Sequence, residues 1–145
     1  MPLSVILKNW YTWTGLPNGT VIFLDSHIVI WLHNSDIDRL SEKARSLLEV
    51  HELAMSPMVL FELQYLYEIG KYHCSPQQVL NDLREEIGLE IANDNWLHVI
   101  QMSMSIDWTR DPFDRCIVAH AQLRDAPLLT KDQTILQRYQ HAVWE

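Results

Sequence analysis

Short apolar runs alternate with longer amphipathic stretches along this chain. Val21-Ile22-Phe23-Leu24 is continuous and rich in β-formers, the pattern of a strand buried on both faces of a parallel sheet. It ends at Asp25. A short helix is predicted from Ile28 to Leu32, then a polar turn at Asn34, Ser35 and Asp36. Ser41 to Val50 reads as a helix, with Ser41 at its N-cap and Glu42 in the first turn. Leu53 to Met55 is a brief second strand. Ser56-Pro57 opens the next helix, with Ser at the N-cap and Pro at the first helical position. That helix runs to Ile69, where Gly70 stops it. Ser75-Pro76-Gln77-Gln78 is a capping box that starts another helix, ended near Gly88. Leu89 to Ala92 is a third strand, and Asp94 is placed as the cap of the helix after it. Asp111-Pro112 starts a helix through about Leu123, and Leu128-Leu129-Thr130 is a fourth strand. Thr134 to Tyr139 is a short helix and Ala142 to Trp144 a last strand.

Strands alternating with helices imply βαβ units, hence a parallel sheet with helices on both faces and right-handed crossovers. Ligands of such folds gather beyond the carboxyl ends of the strands. The acids fall on that edge. Asp25 follows the first strand and Asp132 follows the fourth. Asp111 and Asp114 open a helix that runs back toward the sheet's other edge. Glu62 lies six residues beyond Ser56, about 9 Å along its helix, among apolar neighbours (Val59, Leu60, Phe61, Leu63).

Carboxylates converging from distant points of a chain repel, unless some hold protons or a cation joins them. All-oxygen donor sets favour hard ions such as Mg²⁺ or Mn²⁺, which bind phosphates and activate water. The chemistry this points to is phosphodiester hydrolysis. Each acid also has a plainer role open to it. Asp25, Asp111 and Asp132 would each serve as a helix cap, Asp114 would suit a helix dipole, and Glu62 would be a solvated helix residue.

Composition narrows the picture. The chain has 145 residues, 48% hydrophobic and 21% charged, the proportions of an ordinary globular domain. Its net charge of −8 argues against a general nucleic-acid coat but not against a nuclease whose carboxylates hold cations. Cys74 and Cys116 form no CxxC and suggest a reduced cytoplasmic setting. No apolar run approaches the ~20 residues of a membrane span. Residues 1–19 stand apart as an N-terminal extension of unknown role, leaving 20–145 as the domain. The extension lacks the cationic start of a signal peptide, and its Trp10 and Trp13 would suit interface anchors. Of the seven histidines, His27 lies nearest the acids and reads as a core or surface residue. Trp31, Trp96 and Trp144 read as core. Tyr65-Leu66-Tyr67 would stack bases beside Glu62, though packing is the simpler reading.

Leu24-Asp25-Ser26-His27 with Trp31, Ser56 through Glu62, Arg110-Asp111-Pro112-Phe113-Asp114-Arg115 and Leu129-Thr130-Lys131-Asp132 together resemble the PIN domain family. They resemble in particular the VapC-like toxins of type II toxin–antitoxin pairs. The resemblance runs from about Thr20 to the C-terminus. It implies a three-layer α/β/α sandwich around a central parallel sheet, and a Mg²⁺- or Mn²⁺-dependent ribonuclease giving 5′-phosphate and 3′-hydroxyl ends. It also implies a cognate antitoxin and a homodimer. The family's four acidic positions fall on Asp25, Glu62, Asp114 and Asp132. Ser26 and Thr130 match its supporting hydroxyls, and Asp111 is a helper or cap. Arg110, Arg115 and Lys131 flank the acids as candidates for phosphate contacts. Two other readings stay open: a housekeeping RNA-processing nuclease of the same fold, and a non-catalytic interaction module. A phosphatase with a strand-end Asp nucleophile would want a second Asp at position 27, where His27 stands.

Overall fold

A computed structural model describes residues 16, 17 and 19–145. The expectations placed on residues 1–15, Trp10 and Trp13 among them, lie outside the described residues. Five strands form one sheet: β1 (Val21–Leu24), β2 (Glu52–Met55), β3 (Glu90–Ile91), β4 (Leu128–Leu129) and β5 (Ala142–Val143). Seven α-helices are present among the described residues: α1 (Ser26–His33), α2 (Glu42–Val50), α3 (Pro57–Glu68), α4 (Pro76–Ile87), α5 (Trp96–Ser103), α6 (Pro112–Leu123) and α7 (Gln133–Arg138). The expected parallel α/β/α sandwich is the observed one.

The sheet order is β3-β2-β1-β4-β5, and every pairing is parallel. The crossovers through α1–α2 and α3–α4 run one way from β1. Those through α5–α6 and α7 run the other way. With a common right-handed crossing, α1–α4 cover one face and α5–α7 the other. The direction reverses between β1 and β4, which makes their carboxyl ends the switch point where such folds bind ligands.

Ile22, Phe23 and Leu24 are all but fully buried, as a central strand covered on both faces requires. Leu47, Leu63, Leu83, Leu89 and Ile117 bring helix and loop side chains onto the same core. The helix starts follow the capping chemistry read from the sequence. The Ser41, Ser56 and Ser75 hydroxyls accept from the N–H groups of Ala44, Met58 and Gln78. Gly88 ends α4 in the left-handed region at φ 71°, a conformation that costs glycine nothing.

Four local expectations are corrected. Helix α1 begins at Ser26 rather than Ile28, because Asp25 caps it directly. Asn95, not Asp94, caps α5 by accepting from His98 N–H. Asp94 is drawn away by His120 and Arg124, each donating to its Oδ2 at 2.7 Å. Tyr65 and Tyr67 are largely exposed rather than core, with Tyr65 stacked on Phe113, and Trp96 lies at the surface with its ring edge against His120.

Candidate active site

Asp25 is fixed by the ladder that builds the sheet. Its N–H donates to Leu129 O at 3.1 Å, extending the β1–β4 pairing one residue past the strand. Its side chain is 5% exposed and makes up for lost water with local donors. Oδ1 accepts from Ser26 N–H at 2.8 Å and Oδ2 from the Thr130 hydroxyl at 2.7 Å. Thr130, itself buried, also accepts from Asp132 N–H at 3.0 Å. One hydroxyl thus ties the first and last acids of the set together. Asp132 caps α7, its Oδ1 accepting from Ile135 N–H at 3.0 Å.

The other acids arrive from two helices that meet across the site. The Ser26 hydroxyl donates to Glu62 Oε1 on α3. Asp111 caps α6 by accepting from Phe113 and Asp114 N–H at 2.8 and 3.1 Å, which places Asp114 in the first turn. Phe113 lies against Phe61 and Tyr65 of α3, with ring centroids 5.9 Å apart in both pairs.

The electrostatics record this convergence. Asp114 is pushed up to about 7 by burial first, then by the charges of Asp111, Asp25, Glu62 and Asp132. Glu62 is raised by burial and by Asp25 and Asp111, against the opposing hydrogen bond from Ser26. Asp25, Glu62, Asp114 and Asp132, drawn from four separate segments, therefore act on one another, with Asp111 beside them. Ser26 and Thr130 are the hydroxyls that hold this set.

Among the described residues, no three or more His, Cys, Asp or Glu side chains are grouped as they stand so that they could hold a metal ion. The donor chemistry nonetheless fits a hard divalent cation: several carboxylates, no thiolate, and repulsion that the protein's own cations leave standing.

Those cations are engaged elsewhere. Arg115 donates from Nε and Nη2 to Ser103 O at 3.3 and 3.2 Å. The Lys131 ammonium lies 5.6 and 6.0 Å from the ring centroids of Trp144 and Trp31. Arg110 is exposed and donates to Asp107 O at 3.1 Å. Sequence reasoning gave His27 no part in the site, but its Nε2 accepts from Lys131 N–H at 2.9 Å. The ring proton then sits on Nδ1, 3.5 Å from Asp25 Oδ2. Burial holds His27 below its ordinary value, opposed by Asp25 and Asp132 and aided by Lys131. The signal was its place two residues past a strand-end acid.

An acidic cluster at the switch point of a 3-2-1-4-5 parallel sheet defines a class of α/β domain. The profile of the PIN domain family matches residues 22–141, and the chain belongs to that family. Its fold is shared with solved structures of low identity. A chain of the VapBC2 complex from Rickettsia felis, bound to a DNA fragment from its promoter, superposes at a TM-score of 0.64 with 20% identity. That match covers 87% of this chain and 100% of the other. VapBC-1 from nontypeable Haemophilus influenzae matches at 0.58 and 22% identity, and DNA-bound VapBC from Salmonella typhimurium at 0.59 and 20%. Each of those two matches covers 87% of this chain and 97% of the other. No curated protein sequence matches the chain significantly.

Proposed function

We propose that this PIN domain is a metal-dependent endoribonuclease, the toxin of a toxin–antitoxin pair. The observation that carries the reading is the coupled, uncompensated cluster in which Asp114 is pushed up to about 7. Asp25, Glu62 and Asp114 are the residues to hold Mg²⁺ or Mn²⁺, directly or through water, and Asp132 completes the set. When bound, such an ion neutralises phosphate charge and makes water a better nucleophile at neutral pH.

The chain's own residues do the positioning. The Thr130 and Ser26 hydroxyls orient Asp25 and Glu62. Asp132 spends one oxygen on Ile135 N–H, and its other oxygen is available to orient the attacking water. In-line attack on phosphorus expels the 3′ oxygen and leaves a 5′-phosphate.

A non-catalytic module would need only caps, and Asp25, Asp111 and Asp132 do cap helices. Capping explains neither Glu62 nor Asp114, which cap nothing and are destabilised by their neighbours. The experiment is cleavage of end-labelled RNA with Mg²⁺ or Mn²⁺ by wild type, Asp25→Asn and Asp114→Asn. Cleavage that both substitutions abolish supports the reading, and full activity in either variant overturns it.

An antitoxin partner is supported by the VapBC assemblies that share the fold. Pairing of two copies is supported by Leu97 and Met104 at α5, both largely exposed. A reduced cytoplasmic setting is supported by Cys74 and Cys116, which are both unbridged. No helix among the described residues is long and apolar enough to cross a membrane.

A further inference from the structure

A nuclease must hold its substrate, and most of the cations near these acids are poorly placed to grip phosphates. Arg115 is committed to Ser103 O, and Lys131 lies over two indole rings. With a net charge of −8, general attraction of a polyanion is weak as well. What the site does present to solvent is aromatic. Phe61 is 64% exposed and Tyr65 51%. They stand four residues apart on α3, on one face of the helix, either side of Glu62. Phe113, next to Asp114, joins the two rings into one surface.

Past Phe61 this surface continues into a shallow, open groove of about 450 Å³, lined by Pro57, Leu60, Gln64 and Gln77 among others. Both amides donate along their own helices, Gln64 to Glu68 and Gln77 to Asn81. Their carbonyl oxygens are left to accept from a ligand.

Resting on the ribonuclease reading, we propose that Phe61, Tyr65 and Phe113 are a stacking platform for an unpaired RNA base beside the scissile phosphate. Rings whose faces meet solvent next to carboxylates that would hold a phosphate-binding cation suit a base, which has a π-face whatever its sequence. Gln64 and Gln77 suit the amino edge of a base that enters the groove. The platform takes single-stranded RNA, because the bases of a duplex have no free faces. A partner protein seated on the same rings is the competing occupant.

The test uses the full chain carrying Asp25→Asn, so that RNA is not cut during the titration. A fluorescein-labelled, random-sequence RNA 10-mer is titrated in Mg²⁺ by anisotropy, and a 2-aminopurine-substituted oligomer reports stacking by quenching. Adding Phe61→Leu and Tyr65→Leu keeps apolar bulk but removes the ring faces. The expected result is binding weakened roughly ten-fold or more, with the quench lost and the thermal melt unchanged. Tyr65→Phe, which keeps its ring, retains both signals. Unchanged affinity and quench in the double leucine variant overturn the platform and leave the ribonuclease reading standing. So does a variant that binds RNA normally but loses self-association or antitoxin. If wild type does not cleave RNA and the Asp25→Asn chain does not bind it, the ribonuclease reading fails and the platform with it.

Discussion

Two acidic regions of this molecule treat their charge in opposite ways. On α6, buried His120 and the neighbouring Arg124 both donate to Asp94. Burial alone would raise Asp94, but these bonds outweigh it and hold the carboxyl below its usual range. At the switch point, Asp114 sits among four carboxylates and is pushed up to about 7. The carboxylate charge of the first region is met within the fold by His120 and Arg124. The second is left short of positive charge by a protein that had cations available and used them elsewhere. Charge that a fold compensates is architecture, and charge that it leaves unbalanced marks where a ligand belongs.

The contrast can be broken from either side. The largest effect is expected in catalysis: Asp25→Asn or Asp114→Asn should lower RNA cleavage by on the order of 10²–10³-fold or more, measured as initial rates in Mn²⁺. Asp94→Ala should instead strike stability, by about 2 kcal/mol, because it strands buried His120. Urea unfolding checks this, and the response of the variant to Mn²⁺ should match wild type. Next comes the ion itself. Millimolar Mn²⁺ should stabilise wild type by roughly 1–3 kcal/mol if it is present at 10 to 100 times its Kd. Asp114→Asn should lose that gain in a thermal melt.

The smallest effect is in pH dependence. Asp114 holds its proton more tightly folded than unfolded, so ionising it costs the native state stability. That cost is absent near pH 4 and complete above about 7. Metal-free Asp114→Asn should therefore melt higher than wild type at pH 8 and match it near pH 4. Discounted for partial exposure, the gain is on the order of 1 kcal/mol, about 3 °C at this length. Asp94 has the opposite sign: its stabilisation is full at neutral pH and is lost as pH falls through its depressed value.

Much of this was legible in the sequence, for local reasons. The serine caps and the buried run at Val21–Leu24 are short-range signals. They located the helices and the carboxyl edge that gathers the acids. Asp94 was misread as a cap because its partners lie 26 and 30 residues away, beyond local rules. His27 was passed over for the same reason, since its acceptor role depends on Lys131, 104 residues on. The exposure of Tyr65 was missed because α3 lacks a clean polar face, and apolar neighbours suggested packing. Strand order lay outside local pattern altogether. Periodicity reports which segments are strands, not which lie side by side.

The bond between Thr130 and Asp25 spans 105 residues. A ribosome adding about 5–20 residues per second takes roughly 5–20 s to cover that interval. Throughout it the growing chain carries Asp25, joined after 37 residues by Glu62, but neither β4 nor the hydroxyl that orients Asp25. The acidic cluster can be completed only after β4 has been made and paired with β1. A half-made chain has two of the acids, Asp25 and Glu62, and no site.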